Sequence, residues 1–126
     1  MTHTDNIYSG TIIKGLQNGR KFGFPTANIE LAEGLLPPET GINAVKVWLE
    51  KQSLFGMLYV GTRPTLQLDK LSIEIHLFNF QEDIYGKQLQ FEILKKIREE
   101  KTFDSPQQLI DQLRLDKQHI IRLLNE

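Results

Sequence analysis

Thr26 and Asn28, in the stretch PTAN, offer a hydroxyl and an amide oxygen two residues apart. If this stretch is extended, both side chains point to the same side of the backbone. Magnesium prefers oxygen ligands and commonly completes its coordination with substrate phosphates and water, so the pair could hold a phosphate-bound metal. An Asx or ST turn, in which both side chains satisfy local backbone groups, would use the same residues. The pattern leaves both interpretations open.

Glu74 is the carboxylate best placed for acid–base chemistry. In the alternating segment SIEIHLF it shares the polar face with Ser72 and His76. A carboxylate fixed by a strand can still face a cleft, as a general base must. An exposed strand glutamate without a catalytic role gives the same pattern. His76 is interpreted as a structural, hydrogen-bonded side chain.

A glycine-rich, cationic loop precedes the PTAN stretch. Gly15, Gly19 and Gly23 would let backbone N–H groups approach an anion. Arg20 adds a planar guanidinium that suits phosphate oxygens. The common phosphate motifs G-x-x-x-x-G-K-[ST] and G-x-G-x-x-G are absent. The alternative interpretation is a flexible, solvated hairpin tip.

The scaffold that must position these residues is predicted to be an antiparallel sheet. The segments with two-residue alternation are INAVKVWLE, SLFGMLYV, SIEIHLF and KQLQFEI, with IYSGTIIK as a weaker candidate. Turn-rich pieces join them and only one clear helix is present, which disfavours parallel βαβ units.

That helix is predicted at the C-terminus, with Ser105 as the N-cap, Pro106 at the first helical position and Gln108 completing a capping box. The apolar residues at helical spacing are Leu109, Leu113, Ile120 and Leu124, with Ile110 and Ile121 beside them. The helix must therefore lie against the outside of the sheet. We predict a single domain, residues 1–126, folded as a small closed Greek-key barrel of five or six strands.

Composition narrows the classes of function. The formal net charge of -1 disfavours a general nucleic-acid binder, including a barrel that binds single strands. The chain has no cysteine, which excludes disulfides and thiolate sites and suits a reducing compartment. It also lacks the run of ~18 apolar residues that a membrane span needs. We expect a cytoplasmic protein without nucleic-acid or membrane partners.

Motifs spread over nearly the whole chain match one known family in order. They are the stretch 15–28 ending in GFPTAN, G-x-x-A-V at 41–45, VGTRPT at 60–65, IEIHLFNF at 73–80, DIYG at 83–86 and IREEKTFDS at 97–105. In these motifs the chain resembles a riboflavin kinase, the module that bacteria usually carry as the C-terminal half of a bifunctional flavin-nucleotide synthetase. The resemblance implies a six-stranded Greek-key barrel that transfers the γ-phosphoryl group of ATP to the 5′-hydroxyl of riboflavin, giving FMN.

The resemblance also implies roles for particular residues. Thr26 and Asn28 correspond to the family's Mg²⁺ ligands, and Glu74 to the carboxylate that accepts the hydroxyl proton. Gly15 and Arg20 match positions that hold the nucleotide phosphates. The residues that fall where the nucleotide is flanked are Leu77, Asn79 and Tyr85, and those at the flavin end are Arg98, Lys101 and Phe103. Without the resemblance, Arg98 and Lys101 could bind an anionic group, but charged residues before a helix are usually just solvated.

The chain departs from the family pattern at three positions. Asn43 stands where tyrosine is usual, Tyr59 where asparagine is common, and Lys14 where histidine often precedes the glycine. These departures bear on packing and affinity rather than on the reaction. No adenylyltransferase half precedes the barrel, so we expect either a stand-alone kinase or one domain of a longer enzyme. The alternative function is a non-catalytic barrel that binds FMN or a nucleotide, but such a barrel has no need of both metal ligands and the base.

Overall fold

The structure, a computed structural model, describes residues 7–13, 26–62, 71–80 and 84–125. Its elements are β1 (Ile7–Ile13), β2 (Ala27–Leu31), β3 (Gly41–Leu49), β4 (Gln52–Thr62), β5 (Leu71–Leu77), β6 (Gln88–Arg98) and the helix α1 (Pro106–Leu124). All neighbouring strands pair antiparallel, in the closed order β1-β2-β5-β4-β3-β6. The predicted six-stranded barrel with a C-terminal helix is confirmed.

The strand order is that of a Greek key. β3, β4 and β5 are consecutive in the chain and adjacent in the sheet, whereas β2 returns beside β5 and β6 beside β3. Because the sheet closes on itself, each of these strands pairs with a neighbour on both sides. The barrel is therefore a firm support for side chains on its outer face.

Alternate residues of the strands fill the barrel, as the two-residue periodicity predicts. The buried cluster inside includes Val45, Val47, Leu49, Leu58, Val60, Ile73, Ile75, Leu89 and Phe91. The residues between them face outwards. In β5 this places Glu74 on the outer face, between the inward-facing Ile73 and Ile75.

Helix α1 covers part of that outer face. Ile42, Ala44 and Met57 of the barrel form a second buried cluster with Phe78 and Ile120. The other helical residues that pack against this cluster are Ile110, Leu113 and Leu124. Ile121 is 40% exposed because it lies one residue beyond the centre of the buried stripe. Within the described ranges, no helix has the length and apolarity that crossing a bilayer requires.

The start of α1 is fixed by side-chain caps. The N-cap Ser105 is extended, and its side chain accepts a hydrogen bond from the Gln108 backbone N–H at 3.2 Å. The Gln108 side chain returns to the backbone N–H of Asp104, at 3.0 Å, one residue before the cap itself. The bond to Ser105 satisfies a donor that the first helical turn leaves without an intrahelical partner, and the bond to Asp104 ties the residue before the cap to the helix. They also fix the end of the connection between β6 and α1, residues 99–105.

Candidate active site

A pocket of about 150 Å³ lies on the outer face of the barrel, beside the first turns of α1. Its walls come from the barrel strands and the residue just before β2, from the end of β6 at Arg98 with the β6–α1 connection, and from α1. The lining residues, in chain order, are Thr26, Met57, Tyr59, Glu74, His76, Arg98, Lys101, Phe103, Leu109 and Leu113. Apolar walls with a few polar groups are typical of a small-molecule site.

Two hydroxyl groups hold the Glu74 carboxylate in place. Thr26 Oγ1 donates to Glu74 Oε1 at 2.9 Å, and Ser72 Oγ donates to Oε2 at 2.9 Å. Each carboxylate oxygen therefore accepts a hydrogen bond from a neighbouring hydroxyl. The structure thus brings the PTAN hydroxyl and the strand carboxylate into direct contact at the pocket.

Asn28 lies next to this pair. Its Cα is opposite that of Glu74 in the β2–β5 ladder, and Ala27 and Ile29 on either side pack into the barrel core. Asn28 therefore shares the outer face with Thr26, as the extended interpretation of PTAN predicts. Its side chain is buried, at 8% exposure, and it is not among the residues that line the pocket.

The donor atoms at this wall suit a hard cation. Because the Thr26 hydroxyl gives its hydrogen to Glu74, its lone pairs are available to ligate a metal. A hydroxyl and an amide oxygen near a carboxylate are the ligand types that Mg²⁺ prefers. In the part of the chain that the structure describes, no three His, Asp or Glu side chains are grouped to hold a metal. A cation here would therefore draw its remaining ligands from phosphate oxygens and water.

A second group of lining residues combines an aromatic ring with two cations. The Arg98 Cζ atom lies 5.9 Å, and the Lys101 Nζ atom 5.7 Å, from the centroid of the Phe103 ring. Such contacts hold a ring and a cation together without directional bonds. Three predicted flavin-end residues thus line one pocket with Thr26 and Glu74.

Arg98 also ties α1 to the end of β6. Its Nε atom lies 3.0 Å from both carboxylate oxygens of Asp116, and its Nη2 atom lies 2.8 Å from Oδ2. Gln112 Nε2 donates to Asp116 Oδ1 at 2.9 Å, and Arg98 Nη1 donates to the Glu99 carbonyl at 3.0 Å. The guanidinium is therefore largely engaged by the protein itself. Gly41 permits the close approach of β3 here, since an added Cβ would stand 2.6 Å from the Arg98 carbonyl oxygen.

Sequence reasoning missed Asp116, although a signal exists. Leu113, Asp116 and Ile120 lie on one helical face, so a carboxylate interrupts an otherwise apolar stripe. Its side chain is only 3% exposed. A charge at such a position needs a buried partner, and Arg98 supplies it.

In the sequence, Tyr59 stands out only as a departure from the family pattern. Its hydroxyl donates to Glu100 Oε2 at 3.3 Å, and its side chain lines the pocket. Burial, together with the nearby negative charge of Glu100, raises the pKa of Tyr59 to about 12. The side chain is consequently a neutral hydrogen-bond donor at ordinary pH.

His76, on β5, lines the pocket and contacts Lys117 of α1. It is 6% exposed, its Nε2 atom is 3.3 Å from Lys117 Nζ, and its ring contacts the edge of Phe78. Because the ammonium can only donate, Nε2 accepts in this contact. The structural interpretation of His76 fits this packing.

The residues predicted at the nucleotide end lie apart from the pocket. Leu77 packs inside the barrel, and Tyr85 packs against the same core. Asn79 is exposed and adopts a left-handed backbone conformation, with φ of 58°, in the turn after β5. Gly15 and Arg20, the predicted phosphate-binding residues, lie outside the described residues, as does Lys14.

Comparison with known proteins agrees with the resemblance seen in the motifs. The family model described as flavokinase, riboflavin kinase, matches residues 4–124. A bifunctional riboflavin kinase/FMN adenylyltransferase of Bacillus subtilis is 37% identical over 116 residues, covering 90% of this chain and 37% of the relative. An RNA-binding riboflavin kinase, RibR, of the same species is 42% identical over 113 residues, covering 87% of this chain and 47% of the relative.

Solved structures share the fold as well. A riboflavin kinase from Trypanosoma brucei superposes with a TM-score of 0.66 at 26% identity, covering 95% of this chain and 80% of that protein. A Streptococcus pneumoniae structure titled macrolide-efflux protein superposes with a TM-score of 0.82 at 34% identity, covering 89% of this chain and 37% of that protein. The chain thus spans less than half the length of both Bacillus relatives.

Proposed function

The chain belongs to the riboflavin kinase family, and we propose on that premise that it transfers the γ-phosphoryl group of ATP to the 5′-hydroxyl of riboflavin. The observation that carries the proposal is the 2.9 Å contact between Thr26 and Glu74. It joins a candidate metal ligand and a candidate base at a pocket that Phe103 and Lys101 also line. A kinase needs this combination, whereas a barrel that only binds flavin does not.

Glu74 is the proposed general base. As the riboflavin O5′–Pγ bond forms and the bond from Pγ to the bridging oxygen of ADP breaks, the hydroxyl proton passes to a Glu74 carboxylate oxygen. The bonds from Thr26 and Ser72 hold that carboxylate in one orientation. Because phosphoryl transfer proceeds through a loose transition state, orientation of the attacking hydroxyl is a main contribution that side chains can make.

Thr26 and Asn28 are the proposed ligands of Mg²⁺. When bound, the ion would neutralise charge on the β- and γ-phosphates of ATP. Both ligands are neutral, so they suit a cation that arrives with its nucleotide rather than one held permanently. Thr26 has a second role, since the same hydroxyl orients Glu74.

The flavin ring is proposed to bind between the Phe103 face and the apolar wall. Met57, Leu109 and Leu113 contribute that wall, and contact with them would remove water from one side of the isoalloxazine ring. Lys101 would meet the polar, carbonyl-bearing edge of the ring. Arg98 would act mainly by fixing the connection and α1, because its donors already bind Asp116 and Glu99.

The test is an incubation of the protein with riboflavin, ATP and Mg²⁺, with separation of FMN by chromatography. We expect FMN and ADP in equal amounts and no product when Mg²⁺ is removed with a chelator. Riboflavin binding without FMN, measured by quenching of flavin fluorescence, would instead identify the non-catalytic barrel. The adenylyltransferase and RNA-binding activities named for the relatives belong to those longer proteins.

A further inference from the structure

Tyr59 lines the pocket but takes no part in the proposed chemistry. It lies on the outer face of β4, opposite Glu74 in the β4–β5 ladder. Its ring lies over Gly61, where an added Cβ would overlap the ring carbons. The glycine therefore gives a large aromatic side chain room to lie along the strand beside the pocket.

The Tyr59 hydroxyl reaches the connection between β6 and α1. Its hydrogen bond to Glu100 Oε2 spans 41 residues of sequence. Because burial and the charge of Glu100 raise the pKa of Tyr59 to about 12, the hydroxyl keeps its proton and can donate at any physiological pH. The bond joins the middle of the connection to a strand of the closed barrel.

The two ends of the connection are fixed separately. Arg98, just before it, is held by Asp116, and Ser105 at its end caps α1. Lys101 and Phe103 lie between Glu100 and Ser105. Their approach to the pocket therefore depends on how the middle of the connection is held.

We propose that Tyr59 is a positioning residue of the flavin subsite, whose hydrogen bond to Glu100 holds Lys101 and Phe103 at the pocket. The inference rests on the proposed function for the identity of the ligand. The hydrogen bond and its effect on the connection can be tested without that function.

Tyr59→Phe removes the hydroxyl and leaves the ring over Gly61. We expect riboflavin to bind about threefold to tenfold more weakly, the effect of losing one hydrogen bond. KM for riboflavin should rise by the same factor and kcat should fall less than about twofold, because the contact between Thr26 and Glu74 is untouched. Glu100→Ala should weaken riboflavin binding at least as much as Tyr59→Phe, whereas Glu100→Gln, which keeps an oxygen acceptor, should recover most of the affinity.

The matched control is Glu99→Ala. Glu99 is the neighbouring acidic residue, its side chain is 79% exposed, and it pairs with Lys96 rather than with Tyr59. Riboflavin affinity is measured by flavin fluorescence in each variant and in the double variant Tyr59→Phe/Glu100→Ala. Hydrogen–deuterium exchange of residues 99–105 is measured without ligand. The double variant should bind riboflavin no more weakly than the weaker-binding of the two single variants. Exchange of residues 99–105 should rise in Tyr59→Phe, Glu100→Ala and the double variant, but not in Glu99→Ala or Glu100→Gln.

The possible outcomes separate the two proposals. If the parent makes FMN but Tyr59→Phe keeps parental affinity and exchange, the positioning role is wrong and the kinase stands. Affinity losses that add in the double variant would also overturn it, since the two groups would then act independently. If the parent binds riboflavin without phosphorylating it, and the variants lose affinity together, the kinase proposal fails while Tyr59 keeps its role.

Discussion

Replacement of Asp116 by alanine is predicted to loosen α1 from the barrel. The Asp116 carboxylate accepts hydrogen bonds from the Arg98 and Gln112 side chains. Its removal leaves the Arg98 side chain, which is only 17% exposed, without its buried counter-charge. The variant therefore leaves an uncompensated charge between β6 and α1, which costs more than the loss of one contact.

The size of the effect follows from that burial. Breaking a buried ion pair by removing one partner costs about 3–5 kcal/mol. The exposed part of Arg98 faces the pocket and can be hydrated, which favours the lower end, about 3 kcal/mol of the free energy of unfolding. At ~4 °C per kcal/mol for a domain of this size, Tm should fall by about 12 °C. Asp116→Asn keeps the shape and one oxygen acceptor, so its loss should be smaller, about 1–2 kcal/mol.

Thermal and urea unfolding followed by circular dichroism measure this prediction. Asp111→Ala is the matched control, because Asp111 is an exposed carboxylate of the same helix that accepts a 2.9 Å bond from Gln107. Its replacement should change the free energy of unfolding by less than about 0.5 kcal/mol. Equal midpoints for Asp116→Ala and Asp111→Ala would refute the argument that the Arg98–Asp116 pair holds α1 in place.

Four further predictions concern the pocket and the barrel interior. Glu74→Gln should lower kcat by a factor of about 10²–10⁴ while flavin and ADP still bind. Ser72→Ala, which keeps the carboxylate, should lower kcat only a few-fold. Near-parental turnover by Glu74→Gln would exclude Glu74 as the general base. Asn28→Ala should raise the Mg²⁺ concentration needed for half-maximal activity, and an unchanged magnesium titration would remove Asn28 as a ligand. The difference between the ultraviolet titrations of the parent and of Tyr59→Phe should show a midpoint near pH 12. Because the pKa of Tyr59 is raised in the folded protein, the contribution of its protonated hydroxyl to the free energy of unfolding is complete below about pH 10 and is lost towards pH 12. Asn43→Leu should raise the free energy of unfolding by about 1 kcal/mol, since the Asn43 Nδ2 atom is buried without a hydrogen-bond partner in the described structure, and a less stable variant would contradict this reasoning.

The alternation of residue types was sufficient to predict which face each strand presents. Glu74 faces outwards because its neighbours Ile73 and Ile75 must fill the barrel, and a period of two leaves no other choice once one face is buried. Asn28 on β2 and Thr26, just before this strand, follow the same rule around Ala27. The chemical face of the site could therefore be read from local sequence.

The contacts that join distant segments could not be predicted in this way. The register that sets Asn28 opposite Glu74 depends on barrel closure and on the connections between strands, not on either segment alone. The pairing of Arg98 with Asp116 and of Tyr59 with Glu100 links groups 18 and 41 residues apart. Local patterns constrain neighbours within a turn or a strand pair, so they contain no signal for these partners.

The two sides of the pocket are built differently, and this difference predicts how variants will behave. Glu74 and its hydroxyl partners stand on or beside paired strands, where closure of the barrel fixes them. Lys101 and Phe103 stand on a connection whose position depends on individual side-chain bonds. A closed sheet opens only at a free energy close to that of global unfolding, whereas a connection can shift at much lower cost. Substitutions at the strand side should therefore act on kcat, and those that loosen the connection on KM for riboflavin.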